Sequence, residues 1–299
     1  MSVLNRVLVA TLPWVPKAIV GKVASRYVAG ETLEDALRVI RALNAEGAMA
    51  TVDVLGEEVG ERAKALAAVE EYLRVLDAVA AQGLDSNVSI KLTLLGLKID
   101  QDFCRDNVER IVVRAKELGN FVRIDMEDRS TTDATLAVYR ELQGRHGNVG
   151  PVLQAYMRRT LKDIAELPGE RPNVRLCKGI YVEPRTAAWK GYDTIRANFV
   201  QALEKLILRG AYPAIATHDE YLCCAASALV DRHGLARGQY EFQMLLGVDE
   251  ELRRVLLASD HRLRVYVPYG RDWYPYSIRR LRENPEVAGH VLRAMLRRR

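Results

Sequence analysis

The chain is predicted to be an α/β protein, a (βα)8 barrel with a helical extension at its N-terminus. Three observations predict it. Short apolar runs rich in β-branched residues recur eight times over about 250 residues of the 299-residue sequence. Amphipathic stretches of helical length lie between them, the alternation that builds a parallel sheet. The segment after the first run, TVDVLGEEVGER, has no Gly-x-Gly-x-x-Gly, the fingerprint expected of the competing doubly wound sheet.

The first 47 residues precede the first strand. Within them RYVAG (26–30) leads into a helix over 31–46, with Thr32 as its cap and Asp35 at the third position in place of the usual Glu. The strands are then expected at 48–55, 88–94, 121–126, 149–155, 174–179, 213–217, 240–246 and 263–267. Helices are expected at 61–81, 105–118, 130–143, 192–208, 220–233 and 250–258. No Pro/Gly/Ser-rich linker interrupts the sequence, so residues 48–299 are taken as the barrel and 1–47 as its extension, one domain in all. After the eighth strand, Pro268 and Gly270 signal a turn.

Composition narrows the class. Hydrophobic residues make up 49% and charged residues 28%, ordinary values for a soluble globular protein. No apolar run approaches the roughly 18 residues that a spanning helix needs. The short run VLVATLPWVP (7–16) is broken by Pro13 and Pro16 and lacks a small-x-small cleavage site, so a secretory signal is not expected and the cytoplasm is. The four cysteines (Cys104, Cys177, Cys223, Cys224) form no CxxC pair, which points to reduced thiols and no metal site. The net charge of +5 is uneven: ten Arg against three acids from Arg262 to Arg299 leave the rest slightly acidic. Nucleic acid, an anionic membrane surface or an anionic ligand would each match that basic end, as would a solubilising tail.

Polar residues gather where a barrel keeps its active site, at the C-terminal ends of the strands. In order these are Asp53 and Glu57; Lys91 and Thr93; Arg123, Asp125 and Glu127; Gln154 and Tyr156; Arg175, Lys178 and Tyr181; Thr217, His218 and Asp219; Glu241 and Gln243; and Tyr266, followed by the adjacent Arg279 and Arg280. Buried charges are costly unless paired, so a ring of them suggests a ligand site. Lys91, Arg175, Lys178, Arg279 and Arg280 outnumber Asp125 and Glu127, which implies an anionic ligand. Two adjacent guanidiniums form a fork for a carboxylate or phosphate. Trp273, Tyr274 and Tyr276 stand beside them as possible apolar walls. A lysine among other cations would have the lowered pKa of a Schiff-base nucleophile, so a lyase or aldolase-type barrel using Lys91 is the second reading. A surface binder of nucleic acid or membrane, driven by the C-terminal arginines, is the third.

Seven segments together resemble the proline dehydrogenases: KLTLLGL (91–97), RIDMED (123–128), LQAYMRRT (153–160), RLCKGIYVEP (175–184), ATHDE (216–220), YEFQMLLGV (240–248) and YVPYGRDWYPYSIRRLRENP (266–285). They run in the family's order. The resemblance implies a distorted (βα)8 barrel that binds FAD and oxidises L-proline to Δ1-pyrroline-5-carboxylate. It implies hydride transfer from proline C5 to flavin N5, with electrons passing to a membrane quinone, and no nucleic-acid partner. The length is similar to the stand-alone bacterial form, whose oligomeric state the sequence does not give.

Carried over by motif, Lys91, Arg279 and Arg280 resemble the clamp on the proline carboxylate, and Tyr266, Tyr181 and Tyr276 the walls of its pocket. The resemblance makes Tyr266 the residue that disfavours 4-hydroxyproline. It assigns Asp125 a place near flavin and substrate, and Arg175 the hydrogen bond to flavin N5. Gln154, Cys177, Lys178, Gly179, Thr217, His218 and Glu283 fall where the family contacts FAD. Glu57 resembles the glutamate that pairs with Arg279 to close the site. Cys177 and Ile180 depart from the usual residues; the former is expected to offer backbone atoms, the latter to tighten the pocket. Peripheral membrane contact through the basic C-terminus, 287–299, is a further expectation.

Overall fold

The computed structural model describes residues 25–274, 276 and 277. Among them, eight parallel strands pair in sequence order and close into a barrel when β8 (Leu263–Tyr269) pairs with β1 (Met49–Val54). The strands between are β2 (Ser86–Ile90), β3 (Val122–Ile124), β4 (Val149–Gln154), β5 (Asn173–Cys177), β6 (Tyr212–Ala216) and β7 (Glu241–Leu245). Helices alternate with them: α2 (Arg62–Ala81), α3 (Gln101–Glu117), α4 (Thr132–His146), α5 (Thr160–Ala165), α6 (Tyr192–Leu208), α7 (Glu220–Arg232) and α8 (Glu250–Ala258). The closed sheet rules out the doubly wound alternative.

Ahead of the barrel lies α1 (Leu33–Ala45), which starts where the sequence places its cap. Thr32 Oγ1 accepts from the Asp35 backbone N–H at 3.2 Å, and the Asp35 carboxylate accepts from the Thr32 N–H at 3.3 Å, a reciprocal capping box. The helix packs on β8 and β1 and sends Ala36, Leu37, Ile40 and Leu43 into the same core as the barrel.

Alternation along the strands divides two environments. One parity of each strand, exemplified by Val52, Ile90, Ile124, Leu176, Ile215, Phe242 and Val265, is buried beneath the helices. The other parity faces the barrel axis. Such interiors are ordinarily filled by branched apolar layers. Here the axis holds Thr51, Asp53, Ser89, Arg123, Asp125, Arg175, Glu241, Gln243, Arg264 and Tyr266, most of them buried.

Several expectations need adjusting. β2, expected over 88–94, ends at Ile90, so Lys91 and Thr93 lie just beyond it. β3 has only three residues, shorter than predicted. The six-residue α5 between β4 and β5 was not anticipated, being too short for its periodicity to register. The Pro268–Gly270 turn begins later than predicted: β8 runs through Pro268 to Tyr269, and the bend falls at Gly270, φ +134°. Pro268 lacks a donor, but its carbonyl accepts from the Ala29 N–H at 2.9 Å.

Candidate active site

The C-terminal ends of the strands surround a cavity of about 420 Å³. Its floor is a charged cluster contributed by β1, β2, β3, β5 and β8. Lys91 Nζ lies 2.5 Å from Asp53 Oδ1, 3.2 Å from the Tyr266 hydroxyl and 3.9 Å from Asp125 Oδ2. Asp125 accepts from Arg175 Nη1 at 2.6 Å, Ser89 Oγ at 2.7 Å and the Tyr266 hydroxyl at 2.8 Å. Burial works to raise the Asp125 pKa, but Arg175 and Lys91 prevail and hold it below the ordinary carboxylate range. Burial likewise works to lower the Lys91 pKa. Asp53 and Asp125 outweigh it, so the ammonium is more strongly protonated than a free lysine.

Arg175 crosses the barrel to reach this cluster. Its Nε donates to Gln243 Oε1 at 2.5 Å, and its Nη1 donates also to Ser89 Oγ at 3.0 Å. Its Nη2 is buried and has no hydrogen-bond partner among the described residues. Leaving a buried guanidinium donor unmatched costs free energy, and this arginine lines the cavity. Such a donor suits an acceptor supplied by a ligand.

The other end of the cavity is organised by Asp219, the N-cap of α7. Its carboxylate accepts from Lys178 Nζ at 3.1 Å, the Tyr192 hydroxyl at 2.7 Å, and Arg196 Nε and Nη2 at 2.9 and 2.7 Å. Burial opposes its ionisation, yet these bonds hold it well below the usual carboxylate range. Thr217 Oγ1 accepts from the Asp219 N–H at 3.1 Å. His218 Nε2 is 2.9 Å from the Leu245 backbone N–H, which makes Nε2 the acceptor and puts the ring proton on Nδ1. Gln154 Nε2 donates to the Glu127 carbonyl at 3.0 Å.

Gly179 sits at φ +103°, and a Cβ there would lie 2.2 Å from the Tyr156 ring; only glycine fits. The neighbouring Ile180 and Tyr181 line the cavity, as do Tyr266 and Tyr276. The Cys177 carbonyl already accepts from the Ala155 N–H at 2.7 Å, and burial pushes its thiol up to about 11, so the sulfur stays protonated.

The cavity thus brings together Lys91, Asp125, Gln154, Arg175, Cys177, Lys178, Gly179, Tyr181, Thr217, His218, Tyr266 and Tyr276. Glu57 stands apart, exposed on the loop after β1 and lining a smaller cavity with Glu127, Lys98 and Tyr181. Arg279, Arg280 and Glu283, with the C-terminal arginines, lie outside the described residues.

The described part of the ring is not predominantly basic. Asp53, Asp125 and Asp219 each meet a cation, and the first and last, named among the strand-end residues, were given no role from the sequence. Asp53 carried a usable signal, since it shares the inward parity of Thr51; Asp219 sits one residue beyond His218. The cationic surroundings invoked for a Schiff-base Lys91 are corrected in the same way, since that lysine faces carboxylates. No group of described residues is arranged to hold a metal ion.

The family model described as proline dehydrogenase matches residues 36–293. The chain belongs to the proline dehydrogenase family. It is 39% identical over 279 residues to the proline dehydrogenase of Deinococcus radiodurans, covering 92% of this chain and 90% of that one. Proline dehydrogenase 1 of Bacillus subtilis (strain 168) is 37% identical, with 92% and 91% covered. The bifunctional protein PutA of Escherichia coli is 28% identical over 87% of this chain, but only 23% of its own length. Among solved structures, PutA from Bdellovibrio bacteriovorus, inactivated by N-propargylglycine, superposes with a TM-score of 0.81 at 24% identity. That match covers 87% of this chain and 32% of the PutA chain, and it supports the barrel fold. Proline dehydrogenase activity, an oxidation in proline catabolism, follows from the family and its full-length relatives.

Proposed function

We propose that this proline dehydrogenase binds FAD across the mouth of its barrel, oxidises L-proline to Δ1-pyrroline-5-carboxylate, and delivers the electrons to a membrane quinone. The observation that carries the cofactor assignment is Arg175, a wall residue of the cavity whose buried Nη2 has no hydrogen-bond partner among the described residues. Its donor chemistry fits a flavin ring nitrogen. Gln154, Lys178, Thr217 and His218, with the close approach allowed by Gly179, fit the rest of a polar, anionic dinucleotide. Bound FAD would supply the acceptor for the hydride that leaves proline C5 as the nitrogen lone pair forms the C=N bond.

The chain's own residues bind and orient the substrate. Lys91, kept protonated by Asp53 and Asp125, offers its charge to the proline carboxylate; Arg279 and Arg280 complete that clamp in this reading. Tyr266 has its hydroxyl fixed between Lys91 and Asp125, so its ring is a rigid wall beside the proline ring. Asp125 holds Arg175 and Tyr266 together. Glu57 and Arg279 close the site, and the basic C-terminus touches the membrane.

The test is the visible spectrum of the purified protein before and after anaerobic L-proline. Flavin bands that bleach with L-proline and hardly with 4-hydroxyproline would support the cofactor and Tyr266 as selector. A colourless protein that FAD does not reconstitute would defeat the proposal.

A further inference from the structure

Behind Arg175, a line of buried polar groups continues away from the cavity toward the N-terminal end of the barrel. Gln243 accepts from Arg175 Nε through Oε1 and donates through Nε2 to Glu241 Oε1, both at 2.5 Å. Glu241 is the first residue of β7. Its carboxylate also accepts from Arg264 Nε at 2.9 Å, Arg264 Nη2 at 3.2 Å and the Tyr212 hydroxyl at 3.0 Å. Arg264 Nη1 in turn donates to the Ala50 carbonyl at 2.7 Å. Gln243, Glu241 and Arg264 are 4%, 3% and 8% exposed, so water does not compete for these bonds.

The chemistry leaves Gln243 one orientation. A guanidinium only donates, and an ionised carboxylate only accepts. Burial opposes ionisation of Glu241, but Arg264 draws its pKa down to about 2, so it remains a carboxylate at neutral pH. The amide NH2 must therefore face Glu241, and the amide oxygen must face Arg175. With Nε held by Gln243 and Nη1 by Asp125 and Ser89, only Nη2 is left for a ligand.

We propose that Glu241 and Gln243 form a positioning relay, anchored by Arg264, that fixes the Arg175 guanidinium so that Nη2 is presented to the cofactor. The proposal rests on the flavin reading above. Neither Glu241 nor Arg264 touches the cavity; they act through Gln243 and are positioning residues.

The experiment uses the holoenzyme with Gln243→Met, which keeps side-chain length and removes both amide bonds. Loosening a cation beside the flavin stabilises the reduced form less, so the midpoint potential should become more negative than in the wild type. The kcat should fall about tenfold, the order of effect seen when a supporting hydrogen bond is lost. The KM for proline should stay within about twofold, because substrate contacts are untouched. Glu241→Leu/Arg264→Met, which removes the ion pair without stranding either charge, should shift the potential in the same direction. A third readout needs no variant at the relay. In 15N-arginine-labelled wild type, the Arg175 Nε–H signal, assigned by its loss in Arg175→Lys, should be protected from exchange. Rapid exchange of that proton, or flavin-loaded Gln243→Met with a wild-type potential, would overturn the relay. A wild-type chain that FAD cannot reconstitute would instead overturn the functional reading, and with it the relay's purpose.

Discussion

At the residue scale, the arrangement rests on matching buried donors to buried acceptors. Lys91 and Asp53 illustrate the two parts such a pair plays, because their side chains are 9% and 0% exposed and meet at 2.5 Å. Removing one member strands the other. Lys91→Met is expected to destabilise the fold by about 3–5 kcal/mol, the usual cost of an orphaned buried charge. Lys91→Met/Asp53→Leu should recover most of that stability in denaturant titrations, yet still fail to bleach with L-proline. Recovery of proline oxidation in the double variant would show that Lys91 is structural only. The candidate cofactor and substrate residues were legible individually, because they stand at strand ends in segments shared with a family. Their partners were not. The Asp53–Lys91, Asp125–Arg175 and Asp219–Lys178 pairs join positions at least 38 residues apart, and no local pattern links them.

At the scale of elements, β5 and the loop after it carry a tight constraint at the cavity. Gly179→Ala would put a methyl group 2.2 Å from the Tyr156 ring at a φ of +103°. The backbone strain alone is on the order of 1–3 kcal/mol, and the clash adds to it. A lower melting temperature together with weaker FAD binding is expected; unchanged FAD affinity would show that this turn does not shape the cofactor site. The cap of α1 is a milder case far from the cavity. Thr32→Ala removes one half of the capping box and should cost about 1 kcal/mol in thermal unfolding, with kcat unaltered. That cap was visible in the sequence because capping is local chemistry over four residues. α5 was not visible, since six residues give less than two turns of periodicity.

At the scale of the molecule, the charged barrel axis links stability to pH. Glu241 titrates at about 2 in the folded protein against an ordinary 4.5. A depressed folded pKa gives stability that is present above the ordinary value and is lost as pH falls through the folded one. Asp125 and Asp219 are shifted in the same direction. These three groups are expected to lower the melting temperature between about pH 5 and 2, opposed by Asp53 and Glu127, which burial shifts upward. Glu241→Leu/Arg264→Met, lacking one of these carboxylates, should show a shallower decline over that window; an identical slope would mean the axial pair contributes nothing to acid sensitivity.

The alternation of apolar strands with amphipathic helices determined the barrel from the sequence, because burial of one face repeats with a period that each element states for itself. Family-like segments at the strand ends determined where to look for the site. Closure of the sheet decided the rest. It turned the second parity of each strand toward a common axis, and there Asp53, Ser89, Glu241, Gln243 and Arg264 became neighbours of residues far away in the chain. Which charge neutralises which, which donor remains unmatched, and which way the Gln243 amide points all depend on distances across the barrel. The physical reason is that desolvation and ion pairing are set by three-dimensional surroundings, whereas strand and helix periodicity are set by neighbours along the chain.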